Sequence, residues 1–412
     1  MHALDWAMIC AYFALMIVIG WWSHKRVSDV KDFFTAGGKM PWWLAGISHH
    51  MSGYSAVLFV AYAGVAYTTG VTVYFWGFAS IGIGVGIGSW LFAARWNRLR
   101  SKLGVASPLE YLAKRYNVPT QQALAWSGSL LKIFDIAAKW FAVATLLHVF
   151  AGLDYNLGIL ITGAVTLVYC TIGGLWADAL TDFGQFVIQA IAAIVMIVVV
   201  LGKLGGISAL WTMWDKLPEN HVDPVTSKYT TIFLLVYVLV KTLEYNGGMW
   251  NLAQRYMAAP NTQAARRGAG LSSALYLLWP LVLIPAMVRR TRQWTDVQGP
   301  KAARITTVVF VALTMLVATQ AQNLGGVLQI VVNWVAALIS WAGGLIDYAL
   351  VYYVFNANQT VLIATPILVS LALYVGLGLI APERGAAADE IVDTVNTDND
   401  VDRTKEGTTV PA

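Results

Sequence analysis

The chain has 412 residues, of which 58% are hydrophobic and 12% charged, with a net charge of +5. Soluble domains carry roughly 25% charged residues, so half that share spread through long apolar runs excludes a soluble globular protein and indicates a polytopic membrane protein. The positive balance is not a nucleic-acid signal, because the basic residues sit in short loops between apolar runs, where lipid topology accounts for them.

In chain order, about eleven apolar segments suit a hydrocarbon core of about 30 Å. They run over 4–22, 43–68, 72–94, 121–150, 156–173, 180–205, 230–250, 270–288, 305–322, 325–350 and 358–381. The first has no preceding positive residue and no small-residue cleavage site, which predicts a retained helix rather than a signal peptide. Cys10 and Cys170 fall inside apolar runs and read as small buried hydrophobes, not as a disulfide or metal pair. The stretch 382–412 is polar and acidic and predicts a disordered tail.

Two of the apolar segments are interrupted. The second holds Gly46-Ile47-Ser48-His49-His50-Met51-Ser52-Gly53-Tyr54-Ser55, and the seventh holds Lys241-Thr242-Leu243-Glu244-Tyr245-Asn246-Gly247-Gly248-Met249-Trp250. A broken helix in lipid leaves backbone groups unpaired, at several kcal/mol each, unless protein or water satisfies them. Paired breaks in two halves of a chain are the best sequence pointer to a transporter's binding site. The plain alternative is that Ser52, Gly53 and Ser55 only permit close helix packing. His49 and His50 are adjacent and point to different faces, so at most one lines a cavity, and a satisfied structural histidine is the default reading. Lys241 and Glu244 are three apart and can pair on one face, either neutralising each other or forming a polar wall for a solute with hydroxyls or a carboxylate.

Other polar residues read as structural. Asp135 and Lys139 are spaced to pair within the fourth segment, beside Lys132. Asp178 suits a helix cap, while Asp182 reads equally as a cap and as a cation ligand or proton carrier. Trp21, Trp22, Trp42, Trp43 and Trp96 fall near segment ends, as an interfacial belt requires.

Lys and Arg set the orientation. Lys25, Arg26, Lys31 and Lys39 follow the first segment. Arg95, Arg98, Arg100, Lys102, Lys114 and Arg115 follow the third, and Arg255, Arg266 and Arg267 the seventh. The positive-inside rule makes that side cytoplasmic and puts the N-terminus outside, in a cell inner membrane. The stretch Arg289–Arg304 breaks the rule, either because later loops tolerate such violations or because a helix is missing between Val288 and Thr291. No phosphate-cradling Gly-Lys-Ser/Thr loop, HExxH helix or cysteine cluster occurs, which argues against ATP-driven transport and against an enzyme.

Three stretches resemble the sodium:solute symporter family, which includes sodium–sugar and sodium–sialic acid transporters. They are Gly37-Gly38-Lys39-Met40-Pro41-Trp42-Trp43 running on to Gly70; Gly173-Gly174-Leu175-Trp176-Ala177-Asp178 with Thr181-Asp182 and Gln185; and Gln254-Arg255-Tyr256-Met257-Ala258-Ala259 with Ala264-Ala265-Arg266-Arg267-Gly268. The resemblance implies an all-α, inverted-repeat (LeuT-like) transporter fold, with the second repeat missing one helix. The transmembrane domain would be 1–381, comprising an extra helix 4–22, a first five-helix repeat 43–205, an incomplete second repeat 230–350 and an extra helix 358–381. It implies symport of sodium and a small organic solute by alternating access. The alternative is a transport-deficient sensor or binding subunit. Sodium needs about five or six oxygens. By resemblance the carbonyls of Met51 and Tyr54 would face it, with Asp182 close by. The corresponding solute positions are Ser55, Leu58, Ser80, Thr242, Tyr245, Asn246 and Tyr276, although Leu58 and Gly77 replace polar sugar contacts of the family.

Overall fold

The computed structural model describes residues 3–27, 29–54, 62–204, 206–212, 214, 217–218, 221–278, 343–354, 359–380 and 394. Among these the secondary structure is helical throughout, without strands. The helices are α1 (Ala3–His24), α2 (Val30–Thr35), α3 (Trp42–Ser52), α4 (Ala63–Thr69), α5 (Ser80–Leu91), α6 (Ala93–Leu103) and α7 (Pro108–Arg115). They continue with α8 (Val118–Ala151), α9 (Tyr155–Leu204), α10 (Ala209–Thr212), α11 (Thr231–Leu243), α12 (Trp250–Ala258) and α13 (Thr262–Leu278), and a further helix covers Gln359–Ile380.

Local signals start and stop these elements. Asp29 caps α2 by accepting from the Asp32 amide at 2.6 Å, and Asn117 caps α8 by accepting from the Thr120 amide at 2.9 Å. Ser107 caps α7, with Pro108 in its first turn, and Glu110 reaches back to the Ala106 amide at 2.7 Å. The segments expected at 156–173 and 180–205 form one helical run, α9, kinked at Gly174 (φ 52°, ψ −146°). Only glycine holds that backbone conformation readily, and a side chain there would meet Phe33 at 2.8 Å.

α1 and α8 flank α9, while α3, α5, α11, α12 and α13 pack into the central bundle. Tyr74–Leu91 and Gly173–Val199 are long and apolar enough to cross a membrane, and α11 with α12 adds a third span if the bent pair counts as one. Ile188, Ile191, Val195 and Val198 form an exposed stripe on α9, a run of apolar surface that water would not tolerate and lipid accommodates.

α5 shows why the bundle is tight. Its glycines alternate, Gly82-Ile83-Gly84-Val85-Gly86-Ile87-Gly88, so each pair four apart makes a bare stripe. A Cβ at Gly82 would lie 2.8 Å from Leu277, and one at Gly86 would lie 3.0 Å from Ser273, both on α13. A Cβ at Gly84 would lie 2.8 Å from the Thr242 amide nitrogen on α11, and one at Gly88 would strike the Asn246 amide group. One slender helix is thus wedged between α13 and the seventh segment.

The expected segment 305–322, the junction Val288–Thr291, most of 325–350 and the tail 382–412, apart from residue 394, lie outside the described residues.

Candidate functional site

Both interruptions break their helices. α3 ends at Ser52, where the Tyr54 amide donates to the Met51 carbonyl at 3.0 Å, and helix resumes by Tyr62. α11 ends at Leu243, a wide π-type turn covers Glu244–Gly248, Met249 is extended, and α12 leaves at 62°. Asn246 holds this second break from three sides. Its Nδ2 donates to the carbonyls of Gly84 (3.1 Å) and Thr242 (2.8 Å), while its Oδ1 accepts from the Tyr256 hydroxyl at 2.7 Å. The Trp96 indole Nε1–H donates to the Asn246 carbonyl at 2.7 Å.

The two breaks touch. His49 Nε2 lies 3.2 Å from the Tyr245 carbonyl, which can only accept, so this nitrogen carries the proton. In a neutral ring Nδ1 then accepts from the Ser272 hydroxyl at 2.8 Å. The ring also stacks on Tyr256 at 4.9 Å. His49 is therefore the satisfied structural histidine, a pin between α3, the second break and α13. His50 is buried against Tyr276, ring centroids 4.4 Å apart, and its carbonyl accepts from the Tyr276 hydroxyl at 2.9 Å. Gly53 has no room for a side chain: a Cβ would strike the Tyr276 hydroxyl and lie 2.7 Å from the Tyr245 ring.

Beside these breaks lies a buried charge cluster. Arg255, 2% exposed, ion-pairs with Asp178 and lies 3.7 Å from Asp182. Its Nε donates to the Ser48 hydroxyl at 3.1 Å, and Ser48 donates to Asp182 at 2.6 Å. Ser52 donates to Asp182 at 3.5 Å. One guanidinium faces two carboxyl groups, and the cluster joins α3, α9 and α12.

Three sequence readings need correction here. Arg255 is not a loop residue but the buried centre of this cluster, in α12. Asp178 gives its carboxylate to Arg255 rather than to a helix terminus. Trp96 clamps the second break instead of serving only an interfacial belt, whereas Trp21, Trp22, Trp42 and Trp43 are exposed as a belt requires. The expected pairs do form: Lys241 with Glu244 at 2.5 Å, and Asp135 with Lys139 at 3.1 Å and also with Lys132 at 2.7 Å.

The structure assembles only some of the expected contact positions. Met51, Tyr54, Tyr245 and Tyr276 gather around the first break, with Tyr245 and Tyr276 rings edge to face at 5.8 Å. Asp182 sits with Ser48 and Ser52. Ser80 and Thr242 are buried, but each hydroxyl donates within its own helix, to Phe75 (2.9 Å) and Val238 (2.8 Å). Asn246 has its side chain committed to Gly84, Thr242 and Tyr256. Ser55 and Leu58 lie outside the described residues. The arrangement can offer an ion backbone carbonyls from an interrupted helix, a nearby carboxylate with two hydroxyls, and a solute two tyrosine rings. Sequence reasoning missed Arg255 and the α5 glycine stripes; the alternation of glycine and branched residues from Gly82 to Gly88 was the available signal for the latter.

Residues 33–291 match the model of the sodium:solute symporter family. The match stops beside the Val288–Thr291 junction. The chain is 32% identical over 199 residues to a sodium/glucose cotransporter 4 of Danio rerio, a stretch covering 46% of this chain and 29% of that protein. It is 25% identical over 181 residues to a sodium/sialic acid symporter of Proteus mirabilis, covering 43% of this chain and 36% of that one. The matched stretch is thus about a third of either relative. The fold matches a solved substrate-bound, outward-open Na+-coupled sialic acid symporter with a TM-score of 0.68 and 17% identity, over 93% of this chain and 99% of that one.

Proposed function

This chain belongs to the sodium:solute symporter family, and on that premise we propose that it carries sodium and a small organic solute together across a membrane by alternating access. The observation that carries the proposal is the contact between the two broken helices, where the His49 ring on α3 meets the Tyr245 carbonyl of the second break. Irregular backbone at membrane depth is tolerated where it lines a cavity or is buried in protein, and transporters use it to bind ions and solutes. The carbonyls of Met51 and Tyr54 would serve sodium, with Asp182 near enough to stabilise positive charge. Tyr245 and Tyr276 would contact the solute. The membrane would be the cell inner membrane, with the N-terminus outside, and the second repeat would be one helix short after Val288. Sodium suffices as the driving ion: about 2.3 kcal/mol per charge at 100 mV plus about 1.4 kcal/mol for a tenfold gradient supports several-hundred-fold accumulation.

Counterflow of labelled candidate solutes in proteoliposomes tests this. Exchange that requires sodium and fails in potassium supports it. Sodium-dependent binding without any flux would convert the assignment to a non-transporting sensor or binding subunit.

A further inference from the structure

The Lys241 and Glu244 side chains make no hydrogen bond across the breaks, which Asn246, Trp96 and His49 secure. They form an ion pair at 2.5 Å where α11 gives way to the wide turn. With 3.6 residues per turn, Ile232, Leu235, Leu239 and Leu243 make one stripe, and all four are exposed. Tyr237, Lys241 and Glu244 fall on the opposite side, turned into the protein. There the Lys241 ammonium lies 4.9 Å from the Tyr237 ring and 5.3 Å from the Tyr245 ring. Tyr62, which follows the first break, interacts electrostatically with both charges. Its ring packs edge-on to Trp76 at 5.4 Å, and Trp76 packs edge-on to Tyr237 at 6.0 Å. The Trp76 Nε1–H is buried with no acceptor among the described residues. The pair keeps an open edge, with 13% of the Lys241 and 30% of the Glu244 side chain accessible.

A buried ion pair is weak evidence for stability, since apolar replacements of equal volume are often as good. Ionisable residues inside a membrane protein mark function by default. A lone anion approaching Lys241 would meet Glu244, and a lone cation approaching Glu244 would meet Lys241. A neutral polyol can hydrogen-bond to the pair but brings no charge to replace either partner. A solute with both charges can open the pair and satisfy each half. We propose that the Lys241–Glu244 pair is the recognition element for a small zwitterion, with its carboxylate on Lys241 and the Trp76 Nε1–H and its ammonium group on Glu244 and the faces of Tyr237 and Tyr245. Aromatic faces attract such cations, and an unpaired buried donor favours an acceptor. The inference rests on the transport reading above, because it makes this box part of the solute site.

The test is binding by the full chain in detergent with sodium present. The probes are L-alanine, L-proline and glycine betaine as zwitterions, D-glucose as the neutral solute, lactate as the anion and choline as the cation. At least one zwitterion binds, and glucose, lactate and choline do not. Lys241→Gln and Glu244→Gln each weaken zwitterion binding about tenfold or more, as expected for a lost charge-assisted hydrogen bond. The exchange Lys241→Glu with Glu244→Lys keeps an internal pair, so it guards against misfolding, and it weakens binding as well. Failure of all three zwitterions to bind overturns the proposal, as does glucose or lactate binding that Lys241→Gln leaves intact. Repeating the zwitterion arm in potassium separates the two claims. Equal binding in both salts keeps the recognition element and removes sodium coupling, whereas sodium-driven glucose uptake indifferent to Lys241→Gln keeps coupling and removes the recognition element.

Discussion

At the scale of residues, the site depends on what cannot be present as much as on what is. A methyl group at Gly53 would force the Tyr276 hydroxyl and the Tyr245 ring to move. Gly53→Ala should cost about 1–3 kcal/mol by the usual toll of overpacking, read as a lower unfolding temperature of the purified protein. Gly77→Ala, with nothing within 4 Å of its Cβ position, should leave that temperature unchanged or raise it; equal losses in the two would refute the packing argument. Arg255 makes the complementary case. Removing one partner of a buried pair costs about 3–5 kcal/mol because the other charge is stranded. Arg255→Met strands both Asp178 and Asp182, so it should destabilise strongly, and adding Asp178→Asn should recover part of the loss. Simple additivity of the two changes would mean the cluster is not coupled. Arg255 was illegible in the sequence because counting charges between apolar runs treats every such arginine as a loop residue. Only the fold shows that α12 carries it inward.

At the scale of elements, the breaks were the most legible feature. Glycines and polar groups inside an apolar run are costly in lipid, so their presence demands a reason, and two such runs demand a shared one. The wide turn at Glu244–Gly248 and the end of α3 at Ser52 lie where the residues predicted. The role of α5 was not legible, because its helix reads as merely apolar until its neighbours are known. Its two glycine stripes set how closely the second break approaches. Gly84→Ala or Gly88→Ala should push α5 off Thr242 and Asn246, lowering sodium-dependent counterflow. Loss of protein stability without any change in flux per folded molecule would show that the stripe is packing alone. The contact positions fared unevenly for a physical reason: a family pattern fixes where a side chain sits on a helix, not where its hydrogen bonds go. Ser80 and Thr242 spend theirs on their own helices.

At the scale of the whole molecule, the proposed orientation does not need Arg255. It would put Lys25, Lys39, Lys102 and Lys114 on one side and Lys228 on the other. With Cys10 and Cys170 replaced, Lys102→Cys should react with a membrane-impermeant thiol reagent only from the cytoplasm and Lys228→Cys only from outside; labelling of both from one side would invalidate the topology. Helicity and a polytopic design were plain from composition. The proposed absence of one helix from the second repeat concerns residues outside those described.

The broken-helix site is tested most directly by an electron cryo-microscopy map of the full chain in saturating sodium. The predicted result is interruptions after Ser52 and at Glu244–Gly248, the His49 ring bridging to the Tyr245 carbonyl, and ion density beside the Met51 and Tyr54 carbonyls. Continuous helix through Gly53 and Gly247, or the two segments apart with no polar space between them, would contradict it.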